Sequence, residues 1–310
     1  MSVPLIDLSA APDTVLAQHI DAALRESGFF AVAGHGVPQP VVDAAFDASH
    51  RFFALAEHDK ARWYIDGWPI KRGFDPIGWQ SLDVGMPPDV KESFYMGNTS
   101  LGPNQWPDEA LVPGFRAACE AYSQAMHRVA LRLMALFAQA LGMAPHAFDG
   151  YMRDPTCTTR LLHYPPQPAT AAPGQIGCGA HTDWGALTLL AQDDAGGLQV
   201  QRADGSWLDV PPVPGALVVN TGDMMPRWTN DRWRSTMHRV QVPAGRRQSI
   251  AFFHNANWDA VIDCLPTCLA EGDLPKYAPI TGDAVAAALI KLAYSDRFGF
   301  CVHESNDLRA

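Results

Sequence analysis

The spacing of apolar residues divides the chain into a first part with helical periodicity and a second part made of short strands. Apolar residues recur at helical spacing over residues 13–27, 41–54 and 113–142, which predicts three helices in the first part. Asp13 is expected to cap the first of them. The third carries a single apolar stripe, which indicates packing on a core: Val129, Leu133, Leu136, Phe137 and Ala140.

Short apolar runs separated by turn-forming residues dominate the second part of the chain. Clusters rich in Gly, Asp and Ala at residues 193–197 and 202–205 read as tight turns between strands. Several strands at this spacing favour a sandwich or barrel, and a double-sheet jelly roll with flanking helices is the leading expectation. Strands are predicted at residues 161–164, 187–191, 198–201, 217–220, 238–242 and 249–253, with two earlier ones at residues 3–8 and 29–33.

The organisation predicted from this pattern is one structural unit with three parts. A helix-rich region covers residues 1–155, the jelly-roll core covers residues 156–275, and residues 276–310 form a C-terminal helix and tail. Within the tail, apolar residues at helical spacing predict a helix over residues 283–294 that covers the mouth of the barrel or packs on the N-terminal helices.

Composition narrows the classes of partner. Of 310 residues, 47% are hydrophobic and 18% are charged, which provides for a buried core and argues against disorder. The formal net charge of −10, without a Lys/Arg run, argues against nucleic acid and anionic membranes as partners. No secretory signal or membrane-spanning run is evident, and six scattered cysteines suggest reduced thiols, so a cytoplasmic protein is expected. The spacing of Cys264 and Cys268 is only a weak zinc signal.

The strongest chemical signal is a possible metal site in the second part. His181 and Asp183 stand two positions apart, so their side chains share one face of an extended segment. His238, 55 positions beyond Asp183 at the start of a predicted strand, is the best candidate for a third ligand. Two histidines and one carboxylate that leave coordination positions open are typical of Fe(II) oxygenases.

Alternatives to this ligand set exist within the sequence. His254 competes as the third ligand, and His163 lies in an upstream predicted strand; each is better explained as a hydrogen-bonded structural or pocket histidine. Zinc enzymes also use two histidines and an acid, so the ligand types alone do not identify the metal.

A second pair of polar residues follows the third ligand. Arg247 and Ser249 again stand two positions apart and should project from one face of a strand. A guanidinium binds a carboxylate through two parallel charge-assisted hydrogen bonds, and a hydroxyl adds another donor. Taken alone, Arg247 next to Arg246 would instead be read as a surface residue in a turn.

Together these motifs resemble the isopenicillin N synthase-like and plant-type Fe(II)- and 2-oxoglutarate-dependent dioxygenases over nearly the whole chain. The resemblance rests on segments 3–8, 28–38, 91–94, 181–190, 220–223, 228–230, 234–240 and 247–249, among which the segments around His181-Thr182-Asp183, Arg234 to His238 and Arg247-Gln248-Ser249 carry most of it.

The resemblance implies a distorted jelly roll in which His181, Asp183 and His238 bind iron and Arg247 and Ser249 hold the distal carboxylate of 2-oxoglutarate. It also implies oxidation of a small organic substrate with O2, by hydroxylation, desaturation or ring closure, with release of succinate and CO2. Tyr164 falls where many relatives bind the same co-substrate through a tyrosine. Two positions earlier this chain has Leu162, where plant members often carry Asn.

The primary substrate and the oligomeric state are not encoded in any recognisable motif. Within the family, an oxidase that does not use 2-oxoglutarate is the alternative. A zinc-binding or non-catalytic jelly roll is the alternative of another class. Residues expected to line the substrate pocket are Arg72, Phe74, Arg160, Trp184, Phe253 and Asn255, and Arg160 is as compatible with a structural ion pair as with an anionic substrate group.

Overall fold

The computed structural model describes residues 3–65, 72–79, 87–166, 175–241 and 245–281, so the predicted tail helix lies outside the described residues. The helices in these ranges are α1 Asp13–Glu26, α2 Gln39–Phe53, α3 Glu57–Lys60, α4 Phe115–Ala140 and α5 Met224–Thr229. The strands are β1 Leu5–Asp7, β2 Phe29–Ala33, β3 Gly73–Asp75, β4 Glu92–Gly97, β5 Pro155–Tyr164, β6 Cys178–His181, β7 Leu187–Gln192, β8 Leu198–Gln201, β9 Trp207–Asp209, β10 Leu217–Thr221, β11 His238–Val240, β12 Arg247–Asn257, β13 Val261–Ile262 and β14 Ile280–Thr281.

Most strands form two sheets that pack face to face, which confirms the predicted mainly β fold with flanking helices. The large sheet has the order β1-β2-β10-β7-β12-β5-β4-β3, and the small sheet has the order β6-β11-β8-β9. The apolar layer between the sheets takes side chains from both. Its buried members are Phe29, Leu162, Tyr164, Cys178, Leu198, Val200, Val210, Val218, Val240 and Ala251.

The other face of the large sheet packs against the helices in a more extensive core. Ile250 and Phe252 of β12 lie in this core with the apolar stripe of α4. Because neighbouring residues of a strand point to opposite faces, β12 contributes to both layers. From Arg247 to His254, its odd-numbered residues face the small sheet and its even-numbered residues face the helices.

The region before residue 155 contributes more strand than its helical periodicity predicts. β1 and β2 complete one edge of the large sheet, and β3 and β4 complete the other. β3 and β4 were not predicted, because nearly every residue in them is buried and no apolar–polar alternation marks them. Sequence reasoning also placed the start of β5 at residue 161, whereas pairing with β12 extends the strand back to Pro155.

The predicted cap of α1 is wrong. Pro12 occupies the position before the helix, and no side chain caps its first amides. Asp13 is the first helical residue, and its carboxylate accepts hydrogen bonds from Arg132 of α4, at 2.6 Å from Nη1. The carboxylate therefore joins two helices instead of closing one. No helix in the described part of the chain has the length and apolarity needed to cross a bilayer.

Candidate metal centre

Three potential ligands meet at one end of the layer between the sheets. His181 ends β6 and His238 begins β11, and these residues are direct partners in the small sheet. Their rings lie 4.2 Å apart between centroids. The Oδ1 atom of Asp183, two residues beyond β6, lies 3.9 Å from His181 Nε2 and 3.8 Å from His238 Nε2. The three donor atoms therefore converge on one point.

Hydrogen bonds orient each of these side chains from behind. His181 Nδ1 donates to the Gly179 carbonyl at 2.8 Å, and His238 Nδ1 donates to the Thr236 carbonyl at 3.0 Å. A carbonyl can only accept, so each Nδ1 carries a proton, and Nε2 is the nitrogen of each ring that faces the shared point.

The carboxylate of Asp183 is held in the same manner. Its Oδ2 accepts hydrogen bonds from Thr188 Oγ1 at 2.6 Å and from Asn220 Nδ2 at 2.7 Å. Oδ1 is left to face the two imidazoles. Burial opposes ionisation, but His238, His181 and the two hydrogen bonds outweigh it and hold the pKa of Asp183 below its usual range. Burial, together with neighbouring His181, lowers the pKa of His238 to about 4.

The donor set fits a divalent iron ion. Two imidazole nitrogens and one ionised oxygen on one side would leave the opposite side for other ligands, which is the arrangement of non-haem Fe(II) oxygenases. The His181 side chain is 29% exposed, whereas that of Asp183 is 9% exposed, so the centre opens on the side of His181.

The loop that carries Asp183 is clamped by the turn between β10 and α5. Asp223 N donates to the Asp183 carbonyl at 2.7 Å, and Met224 N donates to the Trp184 carbonyl at 3.2 Å. A Cβ on Gly222 would lie 2.5 Å from the Gly185 carbonyl oxygen. The backbone at Gly222 therefore packs directly on the backbone of residues 183–185, and a residue with a Cβ at position 222 would prevent this contact.

A fully buried cation lies farther along the same layer. Arg247, 0% exposed, donates from Nε to the Gly196 carbonyl at 2.7 Å, from Nη1 to Ser249 Oγ at 3.0 Å and from Nη2 to Gln192 Oε1 at 3.0 Å. Its guanidinium stacks over the Tyr164 ring at 4.7 Å. Among the described residues no carboxylate forms an ion pair with Arg247, so its charge is compensated only by dipoles and an aromatic face.

The predicted site residues thus separate into two groups. In one group, the three predicted metal ligands, Arg247, Ser249 and Tyr164 all contribute to the layer between the sheets. Arg246, in contrast, is exposed and contacts His50 of α2, so the surface interpretation applies to Arg246 and not to Arg247.

Among the predicted pocket residues, Arg160 also faces the small sheet. Its Nε and Nη2 donate to Ser93 Oγ at 3.1 and 2.8 Å, its guanidinium lies 4.7 Å from the centre of the Tyr95 ring, and Asp75 Oδ2 is 3.9 Å away. Both readings offered for Arg160 therefore retain support, because it has an ion-pair partner and also faces the layer that contains the metal centre. Arg72 is buried in the same region. Its guanidinium packs against Gly97, where a Cβ would overlap Nη2. Burial lowers the pKa of Arg72 to about 10.

The remaining predicted pocket residues differ in where they lie. Phe253 packs on the apolar layer between the sheets, and Trp184 lies in the loop after Asp183. The Asn255 side chain is pressed on Gly185, where a Cβ would overlap Asn255 Oδ1, and this oxygen is buried with no hydrogen-bond partner among the described residues. The structure does not bring Phe74 to this face; its ring packs in the helix-side core at 5.8 Å from Phe52.

The two alternative histidines lie away from the three converging donors. His163 stacks on Phe53 and binds Glu92 Oε1 at 2.7 Å, which confirms a structural role. His254 points to the helix side of β12 and cannot serve as the third ligand. The hydrogen-bonded environment predicted for it is wrong, because both ring nitrogens are buried without a partner among the described residues.

Several residues that shape the site were not found from the sequence. Thr188 and Asn220 orient Asp183, and Gln192 and Gly196 orient Arg247. Asp89 is another: it forms a buried ion pair with Lys91 and accepts a hydrogen bond from Gly179 N at 3.0 Å, next to the carbonyl that orients His181. Only the polar character of Thr188 and Asn220 within apolar strands could have indicated them.

Comparison with known proteins agrees with this geometry. A profile of the 2OG-Fe(II) oxygenase superfamily matches residues 155–256, and a profile of the non-haem dioxygenase in morphine synthesis N-terminal region matches residues 3–109. The first match contains all three converging donors and the Arg247–Ser249 pair.

Individual relatives cover most of the chain. The 2-oxoglutarate-Fe(II) type oxidoreductase hxnY of Emericella nidulans is 38% identical over 94% of this chain and 90% of its own length. The homoarginine-6-hydroxylase 2-ODD-C23 of Glycine max is 34% identical over 86% of this chain and 89% of its own. The crystal structure of a full-length Neurospora crassa protein in complex with alpha-KG superposes with a TM-score of 0.87, at 29% identity, over 95% of this chain and 96% of that one.

Proposed function

Because this chain belongs to the 2OG-Fe(II) oxygenase superfamily, we propose that His181, Asp183 and His238 are the ligands of its iron. The observation that carries this proposal is the convergence of two Nε2 atoms and one Oδ1 atom, each turned inward by a hydrogen bond on its other polar atom. The protein is a 2-oxoglutarate-dependent oxygenase, as its motifs predicted, and its cofactors are Fe(II), 2-oxoglutarate and O2.

We further propose that Arg247 binds the distal carboxylate of 2-oxoglutarate, with help from Ser249 and Tyr164. Arg247 is buried without a carboxylate partner among the described residues, and a buried charge of this kind is stabilised when a ligand brings the opposite charge. Ser249 Oγ accepts from Arg247, so its own proton is free to be donated. The Tyr164 ring fixes the plane of the guanidinium.

In the reaction, these residues bind and orient the reactants and keep bulk water away. Bound iron supplies a redox-active centre at which O2 and 2-oxoglutarate oxidise the substrate, with succinate and CO2 as products. Thr188 and Asn220 keep Asp183 ionised and fixed in orientation. The close backbone contact of Gly222 with the loop of Asp183 fixes the position of the carboxylate in the layer between the sheets.

The substrate that this site supports best is a small organic molecule that carries an anionic or strongly polar group. We propose that Arg160 and Asn255 contact it, with Phe253, Trp184 and Arg72 nearby. Arg160 faces the layer between the sheets with 14% of its side chain exposed, and Asn255 Oδ1 is a buried acceptor next to the Asp183 loop. The relative named for hydroxylation of homoarginine makes hydroxylation the first reaction to test.

The experiment that tests the proposed function is an anaerobic titration of the purified protein with Fe(II) and then with 2-oxoglutarate. We expect one Fe(II) per chain and a visible charge-transfer band that appears only after 2-oxoglutarate is added. Candidate substrates that perturb this band are then supplied with O2, and succinate should form in proportion to oxidised product. Oxidation of a substrate without succinate would place the enzyme with the oxidases that do not use 2-oxoglutarate.

A further inference from the structure

A second group of potential metal ligands lies on the helix side of the large sheet. It consists of His127 of α4, Cys157 of β5 and His254 of β12, which we call the helix-side cluster. Cys157 and His254 are direct partners across the two strands. The cluster is separated from the iron centre by the sheet, because residues 253 and 255 of β12 face the other way.

One of the two histidines of this cluster, His254, is in an unusual state for a buried polar group. His254 is 0% exposed, and neither of its ring nitrogens has a hydrogen-bond partner among the described residues. Buried polar groups in native proteins are nearly always paired, because an unpaired donor or acceptor loses its bonds to water without replacement. A bound metal ion would satisfy one of these nitrogens. The other potential metal ligands next to the ring are the His127 imidazole and the Cys157 thiol.

The spacing of the donor atoms suits a metal ion. Cys157 Sγ lies 3.9 Å from His127 Nδ1, and the three donor atoms of the cluster all lie within 4.8 Å of one another. Tetrahedral zinc, with Zn–S of about 2.3 Å and Zn–N of about 2.0 Å, places such atoms roughly 3.3 to 3.6 Å apart. A contraction of at most about 1.5 Å between any two donor atoms would therefore close the site.

The helix that carries His127 is already fixed against the sheet. One turn earlier on α4, Ser123 Oγ is hydrogen-bonded to Thr159 Oγ1 of β5 at 2.7 Å. Ser123 and His127 are four residues apart, so both side chains lie on the face of α4 that meets the sheet. Because His127 is only partly buried, its side chain can rotate towards the other two ligands, and an ion can enter on this side.

We propose that the helix-side cluster is a zinc site, with His127, Cys157 and His254 as ligands and a water in the fourth position. A thiolate with two imidazoles is a softer set than the two imidazoles and carboxylate of the iron centre, and this selects Zn²⁺ over Fe²⁺. The site would link α4 to β5 and β12, and its ligand His254 is the neighbour of Asn255 in β12. This inference is independent of the residue roles proposed for the iron centre.

Cobalt titration tests the proposal, because Co²⁺ replaces Zn²⁺ and a cobalt–thiolate bond gives a near-ultraviolet charge-transfer band. Metal-free, reduced enzyme should bind a second Co²⁺ per chain with this band, and added Zn²⁺ should remove it. Cys157→Ser should abolish the band and lose one ion per chain. Cys119→Ser, in the same core, and Cys178→Ser, beside His181, should retain both.

The histidine ligands provide an independent arm of the same experiment. His254→Phe fills the space with an apolar ring, and His127→Ala removes a partly exposed side chain, so at least one of these variants is expected to fold. Each should lose the thiolate band while Asp183→Ala, which damages the iron centre, keeps it. A single Co²⁺ per chain without a thiolate band, or a band that survives Cys157→Ser, would overturn the zinc site and leave His254 as an unpaired core histidine.

Discussion

The two faces of strand β12 differ in how they treat polar groups, although they alternate along one backbone. On the face towards the small sheet, Arg247 and Ser249 are buried polar groups held by neighbouring hydrogen-bond partners. On the helix face, Ile250 and Phe252 are apolar core residues, and the polar side chain of His254 has no hydrogen bonds to the described residues. The proposed co-substrate site and the apolar core thus lie at alternate positions of the same strand.

The difference between the two faces shows how a jelly roll can hold a polar binding site and still keep an apolar core. Asp183 shows the principle, because Thr188 and Asn220 hold one of its carboxylate oxygens and the other is left for a ligand. The helix face supplies the apolar burial that keeps the sheet in place. Substitutions one residue apart should therefore affect different properties, and this can be tested.

The largest effect is expected at the metal end of the binding face. Asp183→Ala should abolish turnover and greatly weaken Fe(II) binding, because the proposed ligand set loses its carboxylate. Iron bound per chain and succinate formed are the measurements. His163→Gln, which removes a structural imidazole from the other face, should retain iron. Substantial activity in Asp183→Ala would exclude this residue from the ligands.

The next effect belongs to the helix face and should appear in stability alone. Phe252→Ala should lower the free energy of unfolding by roughly 3–5 kcal/mol, because it removes a fully buried ring from the core. Urea denaturation measures the change. The folded Phe252→Ala protein should bind 2-oxoglutarate with the same affinity as the parent protein. Phe253→Ala, at a partly exposed position on the opposite face, should destabilise the protein less.

This separation of faces also explains what the sequence could predict. The period of two placed Arg247 with Ser249, because side chains two apart in a strand share a face. It also paired His181 with Asp183, although β6 ends at His181 and the loop after it brings Asp183 to the site. Phe74 was misplaced because β3 has no apolar–polar alternation, so nothing in the sequence indicated which of its residues faces the pocket. The neighbouring Asp75 is the one that points towards Arg160.

The residues that orient the site could not be predicted by periodicity. Asn220 reaches Asp183 across 37 positions, and Gly196 offers a carbonyl to Arg247 across 51. Such contacts depend on the order of strands in the sheet, which places β10 next to β7 and β7 next to β12. For the same reason the helix-side cluster, drawn from one helix and two strands, has no signature in the chain.

A further test of the binding face concerns Arg247. Arg247→Ala should weaken 2-oxoglutarate binding by roughly 10- to 100-fold, because a hydrogen bond to a charged group contributes about 1.5–3 kcal/mol. Fe(II) binding should be nearly unchanged. Arg247→Lys should recover only part of the loss, since a point charge cannot replace the planar guanidinium.

The matched control for this test is Arg246→Ala. It removes an arginine side chain from the exposed position just before β12 and should leave 2-oxoglutarate binding intact. Titration of the charge-transfer band gives the affinities. If Arg247→Ala bound 2-oxoglutarate normally but lost affinity for the primary substrate, the Arg247–Ser249 pair would belong to the substrate instead.

A smaller effect is expected for the residues behind the metal. Thr188→Val keeps the shape of the side chain but removes one of two hydrogen bonds to Asp183 Oδ2. The remaining bond from Asn220 should hold the carboxylate, so Fe(II) affinity should fall by about tenfold, the lower end for a group that orients a ligand. Thr182→Val, whose hydroxyl binds Asp223 and not Asp183, is the control, and an equal loss in both variants would contradict the role of Thr188.

The smallest effect should come from Ser249→Ala. The Ser249 hydroxyl accepts from Arg247 Nη1 at 3.0 Å, so the proposed bond to 2-oxoglutarate uses its single proton. Loss of one hydrogen bond from a neutral donor costs about 1 kcal/mol, which corresponds to roughly fivefold in affinity. Ser249→Thr retains the hydroxyl and should bind 2-oxoglutarate more tightly than Ser249→Ala does.

A double-mutant cycle shows whether Ser249 acts directly or through Arg247. If the hydroxyl only orients the guanidinium, Ser249→Ala should have no further effect once Arg247→Ala is present, and the two losses will not add. If it also binds the carboxylate, part of its effect should persist in the Arg247→Ala background. An undiminished effect there would mean that the two residues contact the co-substrate independently, although they are hydrogen-bonded to each other on one face of β12.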